Sequence, residues 1–248
     1  MKGTFFNKPL EWNIETVGES WQQGDTLKGT LLVKNHGVET ISLENSGVGL
    51  AHADIKKVHS RTEGAIKPEV TSTFTQTDLN SGATAILDFS FPISSNGAVT
   101  DKKSSYYLSF GKNFIEGQLQ IKVGPKVLYT KIIGLLDTFY RFKVKEIKGA
   151  KKGVEFKLLP PTSRDMANIE GLLLTFSMQE DQLAMNFNFQ VKRLDTSSVT
   201  TRINKESLSI QKSLLPKEYS LGKEMINQDQ LLKTIENVLS EVKLKSIY

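Results

Sequence analysis

Residues 132–161 read IIGLLDTFYRFKVKEIKGAKKGVEFKLLPP, and the chain changes character within them. Tyr140, Phe142 and Val144 alternate with Arg141, Lys143 and Lys145. A period of two sets apolar side chains on one face of a strand and cations on the other. A second strand-like run, 154–159, follows a turn over 149–153 and stops at Pro160 and Pro161, which cannot continue a ladder of backbone hydrogen bonds. The stretch therefore predicts the opening of a second β domain. It divides the chain into a first domain over 1–136, a smaller second domain over 137–225 and a terminal segment over 226–248.

Upstream, the same period recurs. Ile115, Gly117, Leu119, Ile121 and Val123 alternate with Glu116, Gln118, Gln120 and Lys122, and Gly124-Pro125 turns this run back into another expected strand over 127–136. Leu87, Phe89 and Phe91 alternate up to Pro92, and Leu10, Trp12 and Ile14 do so between Glu11, Asn13 and Glu15. In residues 21–35, WQQGDTLKGTLLVKN, Gly24-Asp25 marks a turn, after which Leu27, Gly29, Leu31 and Val33 share a face. With shorter candidates at 41–43, 48–58, 70–77 and 106–110, the first domain offers seven or eight strands and no helix. That spacing predicts an antiparallel sandwich.

Downstream, 169–178 and 183–194 predict a hairpin turning at Glu180-Asp181, and 199–203 and 208–210 are shorter strand candidates. Five or six strands predict a truncated or partly open second sandwich. The period then changes to that of a helix: Leu231, Leu232, Ile235, Val238, Leu239 and Val242 recur at three and four. Asn227 is placed to cap it, with Gln230 at the capping-box position and Ile226 as a staple to Leu231. This amphipathic helix is expected to dock on the second domain. Self-association into a homodimer through Leu231, Ile235, Val238 and Val242 is the alternative.

Several of these residues carry a resemblance. Gly24, Asp25, Leu27, Gly29 and 31–33 are similar to the early hairpin of arrestin-like domains; Leu79, Gly82, Phe89, Phe91 and Pro92 resemble that family's Leu-x-x-Gly element and the aromatic strand after it. Residues 114–123 resemble the strand that closes its N-terminal sandwich. Gln23 departs from the pattern, which commonly has Pro before the glycine, and Pro160-Pro161-Thr162-Ser163 is not a Pro-Pro-x-Tyr ubiquitin-ligase ligand. The bacterial sporulation-control family resembles this chain most, since it also joins an arrestin-like region to a smaller C-terminal part; a retromer-type arrestin-like subunit is the weaker analogue. The resemblance implies a mainly β fold, two antiparallel arrestin-like sandwiches with a C-terminal amphipathic helix, and a non-catalytic adaptor or regulatory scaffold. Such a scaffold would bind protein partners through sheet edges, loops or the groove between domains.

Composition bounds the chemistry. The 248 residues contain no Cys, which excludes disulfides, thiolate metal sites and Cys nucleophiles. No run approaches the roughly 20 apolar residues of a spanning helix, and the first residues lack the apolar core of a secretory signal, so a cytoplasmic protein is expected. Cations stand against acids as eight to eleven over 1–100, thirteen to five over 101–160 and eleven to eleven over 161–248. The basic excess lies in the middle, where Arg141, Lys143, Lys145, Lys148, Lys151 and Lys152 are candidates for contact with an acidic partner. Direct binding of nucleic acid or anionic membrane by this stretch is the alternative function, although Tyr140 and Phe142 fall on the face opposite the cations, away from any stacking role.

No enzyme is expected. His52 and Asp54 share a strand face, but two ligands do not make a metal site. Glycine-rich phosphate loops, nucleophile elbows and His-Glu-x-x-His motifs are missing from the sequence, and no cofactor or metal is implied. A glycan-binding sandwich would need exposed aromatics, for which only Trp21, Tyr106 and Tyr107 are placed.

Overall fold

Alternation becomes sheet in the first half of the chain. The computed structural model describes residues 1–150, 153–195, 202–222 and 225–245, apart from the side chains of 194, 195, 202 and 203. It divides into two units, Met1–Gly124 and Pro125–Tyr248. In the first, β1 (Lys2–Asn7), β2 (Leu10–Thr16), β3 (Trp21–Gln22), β4 (Thr26–Asn35), β5 (Ile41–Ser42) and β6 (Ser46–Asp54) lead into a short helix, α1 (Ile55–His59). Strands β7 (Val70–Thr73), β8 (Asp78–Leu79), β9 (Thr84–Pro92), β10 (Ser104–Lys112), β11 (Gly117–Ile121) and β12 (Val123–Gly124) complete the unit. Two antiparallel sheets, ordered β1-β2-β4-β9 and β11-β10-β6-β7, form a sandwich, with β3/β12 and β5/β8 as two-stranded additions.

The inward residues of both sheets meet in one core, in which Trp12, Ile14, Leu31 and Phe91 join Val48, Leu108 and Phe110. Close packing makes specific demands on glycine. A Cβ on Gly29 would fall 2.3 Å from the Glu15 carbonyl oxygen and 2.5 Å from Phe89 Cζ, and one on Gly117 would fall 2.2 Å from Phe110 Cε2. The Gly24-Asp25 turn is held twice, by Gln22 N–H donating to the Asp25 carboxylate at 2.7 Å and by Gln23 N–H donating to Gly124 O at 3.1 Å. Proline at position 23 could not make the second bond.

Two local expectations change here. The strand expected over 48–58 stops at Asp54, whose carboxylate accepts the Lys57 N–H at 3.0 Å and caps α1. The alternation beginning at Ile115 does not start a strand there. Asn113 and Phe114 have φ of 53° and 60°, Ile115 N–H closes the turn on Lys112 O at 3.3 Å, and Ile115 is left 80% exposed.

The second unit comprises α2 (Val127–Tyr140), β13 (Lys143–Ala150), β14 (Gly153–Leu159), β15 (Ile169–Gln179), β16 (Gln182–Asp195), β17 (Arg202–Leu214), α3 (Pro216–Tyr219) and α4 (Gln228–Lys245). Its five strands form one antiparallel sheet in sequence order. Val154, Phe156, Leu172, Leu174, Phe176, Met185, Phe187 and Phe189 are buried on its inner face. Helices rather than another sheet supply the second layer: Tyr129 of α2 stacks on Phe176 at 4.9 Å, and Glu241 of α4 pairs with Lys212 of β17. The molecule is thus mainly β, with a C-terminal helix.

Residues 127–136 are helix where a strand was expected, and the boundary placed at 136 falls inside α2. Tyr129, Ile132, Ile133 and Leu136 are buried at helical spacing, while Lys131 and Gly134 lie between them on the other side. Arg141 ends the helix in the left-handed region, φ 61°, and its N–H and that of Phe142 donate to the Asp137 and Leu136 carbonyls at 3.0 and 3.1 Å. Residues 199–201, part of the strand expected over 199–203, lie outside the described residues, and 208–210 is absorbed into β17.

Candidate functional site

The basic stretch is not one strand. Arg141 is the exposed cap of α2, and a bulge between Val144 and Glu146 takes Lys145 out of register. The bulge also breaks the expected alternation, leaving Val144 exposed. Lys143, Glu146 and Lys148 pair across β14 with Leu159, Lys157 and Glu155, on the sheet face opposite the core. Acids interrupt the cations: Lys143 is paired with Asp137, and Lys148 Nζ lies 3.8 Å from Glu146 and 3.6 Å from Glu155. Lys151 and Lys152 lie outside the described residues. The stretch supplies a mixed-charge margin rather than a cationic stripe.

That margin borders a groove of about 230 Å³ lined by Lys148, Glu155, Lys157, Gly171, Leu173, Asn188 and Gln190. Strand pairing builds it. Lys157 stands opposite Leu173 and Leu173 opposite Asn188, while Gly171 faces Gln190 after a bulge at Glu170. Gly171 opens the floor, because a Cβ there would meet nothing nearer than the Leu158 carbonyl oxygen at 3.9 Å. Beside the bulge, Glu170 takes Lys205 at 2.8 Å and Lys192 at 3.4 Å, and the Lys205 hydrogen bond leads in holding its carboxyl below the ordinary range. The Asn188 side-chain oxygen is shielded and has no hydrogen-bond partner among the described residues. Of the described residues expected to bind a partner, the groove gathers Lys148 alone. Lys157, Asn188 and Gln190 were open to discovery from the same period of two, as the polar positions between the apolar residues of β14 and β16.

Other candidates lie elsewhere. Leu231, Ile235, Val238 and Val242 are fully buried on α4, so the stripe is not presented as a dimer seam. Asn227 caps this helix by accepting the Gln230 N–H at 3.4 Å. His52 is half-buried against Tyr106, with ring centroids 5.0 Å apart, while Asp54 is engaged in its cap. Burial holds the His52 imidazole below its ordinary value, against the opposing pull of Glu69 and Asp101. Trp21, Tyr106 and Tyr107 are buried, so they form no exposed platform for a glycan. Glu180-Asp181 is the two-residue tip of the β15–β16 hairpin, with Gln179 opposite Gln182. Among the described residues no three potential metal ligands cluster, and no helix is long and apolar enough to cross a membrane.

No protein-family model and no curated protein sequence matches the chain. Among solved structures, the crystal structure of Spo0M, a sporulation control protein from Bacillus subtilis, matches with a TM-score of 0.62 at 13% identity, covering 95% of this chain and 99% of that one. A β-glucosidase from Listeria innocua shares 46% of this chain and 16% of its own, at 11% identity and a TM-score of 0.28, which carries no argument. The likeness to Spo0M is one of fold, and it extends over both units.

Proposed function

We propose that the chain is a non-catalytic cytoplasmic regulatory scaffold that holds a protein partner on the outer face of β13–β16. The groove around Gly171 carries this reading. It offers donors and acceptors in alternating cross-strand positions, with Leu173 between them, and no Ser, Thr or His stands among its lining residues. Its size suits a few side chains of a polar or acidic peptide. The face is wider than the groove, with Lys143 and Leu159 continuing it along β13 and β14. A control role of the kind named for the Bacillus subtilis protein is the setting that the shared fold suggests. Because one fold hosts many functions, the site carries the proposal.

Affinity capture from source-cell lysate tests it, using the intact chain beside Gly171→Val and beside the pair Lys148→Glu with Lys157→Glu. We expect a defined protein that the intact chain retains and both variants lose. Recovery chiefly of nucleic acid or anionic lipid, released by modest salt, would replace the scaffold with a charge-driven binder.

A further inference from the structure

We infer that two copies of this chain join edge to edge through β17, making a continuous ten-stranded sheet from two five-stranded ones. Among the described residues β17 pairs with β16 alone, and no described strand lies along the other side of this 13-residue strand. Open edges invite strand addition and are usually blunted by shortness, bulges or proline. Most other edges of the two sandwich sheets and of the five-stranded sheet show these devices: β7 and β11 have four and five residues, β13 is bulged at Lys145, and β9 ends in Pro92, while β1 is unbulged but only six residues long. On β17 the strand is long, and its pairing with β16 runs without a bulge from Leu214 to Arg202.

Its sequence complements itself. Opposite β16, Glu206, Leu208, Ile210 and Lys212 stand across from Val191, Phe189, Phe187 and Met185 on the inner face, while Ser207, Ser209 and Gln211 face outward. An antiparallel pair of β17 strands with a two-fold axis through Ser209 sets Glu206 against Lys212, Leu208 against Ile210 and Ser207 against Gln211, each twice. Moving the axis to Leu208 or Ile210 sets Glu206 against Ile210 or Lys212 against Leu208. Opposite charges and apolar pairs directly across a ladder favour the first register, and an isologous contact of this kind closes at two copies. Glu206 and Lys212 already have partners within the chain, Arg193 at 2.8 Å and Glu241 at 4.0 Å, and both remain partly exposed to a neighbour.

Sedimentation of the full chain over a range of concentrations tests this, together with Glu206→Lys and Lys212→Glu, each checked for folding by circular dichroism. The wild-type chain should reach a dimer. Each reversal alone sets like charges opposite one another twice and should raise the dissociation constant roughly tenfold or more. An equimolar mixture of the two variants restores both pairs and should dimerise again, although the internal ion pairs stay broken. If a reversal unfolds the chain, Ser209→Lys, which places two cations on the axis of an exposed face, should weaken the dimer with the fold kept. A wild-type monomer at the highest soluble concentration overturns the inference, as does a dimer indifferent to Ser209→Lys or a mixture that fails to associate.

Discussion

Gly29 and His52 show what single residues decide. Gly29 is legible in the sequence only as one member of an apolar face; the reason that it is glycine lies in the Glu15 carbonyl oxygen and the Phe89 ring, which occupy the space of a Cβ. Gly29→Ala should therefore destabilise the first unit by about 2 kcal/mol through overpacking, read as a lower urea midpoint; an unchanged midpoint would mean that both the ring and the β2 backbone give way freely. His52 is held neutral by burial, so its folded value lies below that of the unfolded chain, about 6.5. Its contribution is complete above the unfolded value and is lost as pH falls through the folded one. His52→Leu should flatten the dependence of melting temperature on pH below about 6.5, and an unaltered slope there would assign the acid sensitivity to other groups.

Elements were legible where one face alone is buried. Strands β2, β4 and β9 follow their alternation because one side faces the core and the other water. Helix α2 was misread because VLYTKIIGLL is apolar at nearly every step, and a short apolar run does not distinguish a buried strand from a buried helix. Position 134 separates the two states. A Cβ on Gly134 meets nothing within 4 Å, so Gly134→Ala should stabilise the helix by about 0.5–1 kcal/mol, seen as a higher melting temperature. A loss of stability would contradict the helix. The Arg141 cap makes the same point about charge: its side chain was read as one of a row of cations, yet its backbone terminates a helix, so the row ends where the helix does.

At the scale of the molecule, the mainly β architecture and the C-terminal helix followed from periodicity, whereas the helical state of 127–136 did not. The candidate site was half visible. Its cations were conspicuous in the sequence, and Glu146 stands among them on β13, but Asp137 and Glu155 become partners of Lys143 and Lys148 only through the helix cap and the β13–β14 pairing. Gly171, Asn188 and Gln190 come together only because β15 and β16 pair in this register.

The central claim, a partner held on the outer face of the second unit, is tested most directly by titrating the captured protein into isotopically labelled chain and following backbone amide resonances. The account predicts shifts concentrated at Lys148, Lys157, Gly171, Asn188 and Gln190, and their loss in Gly171→Val. Shifts confined to residues of Met1–Gly124, with the groove unmoved, would contradict it.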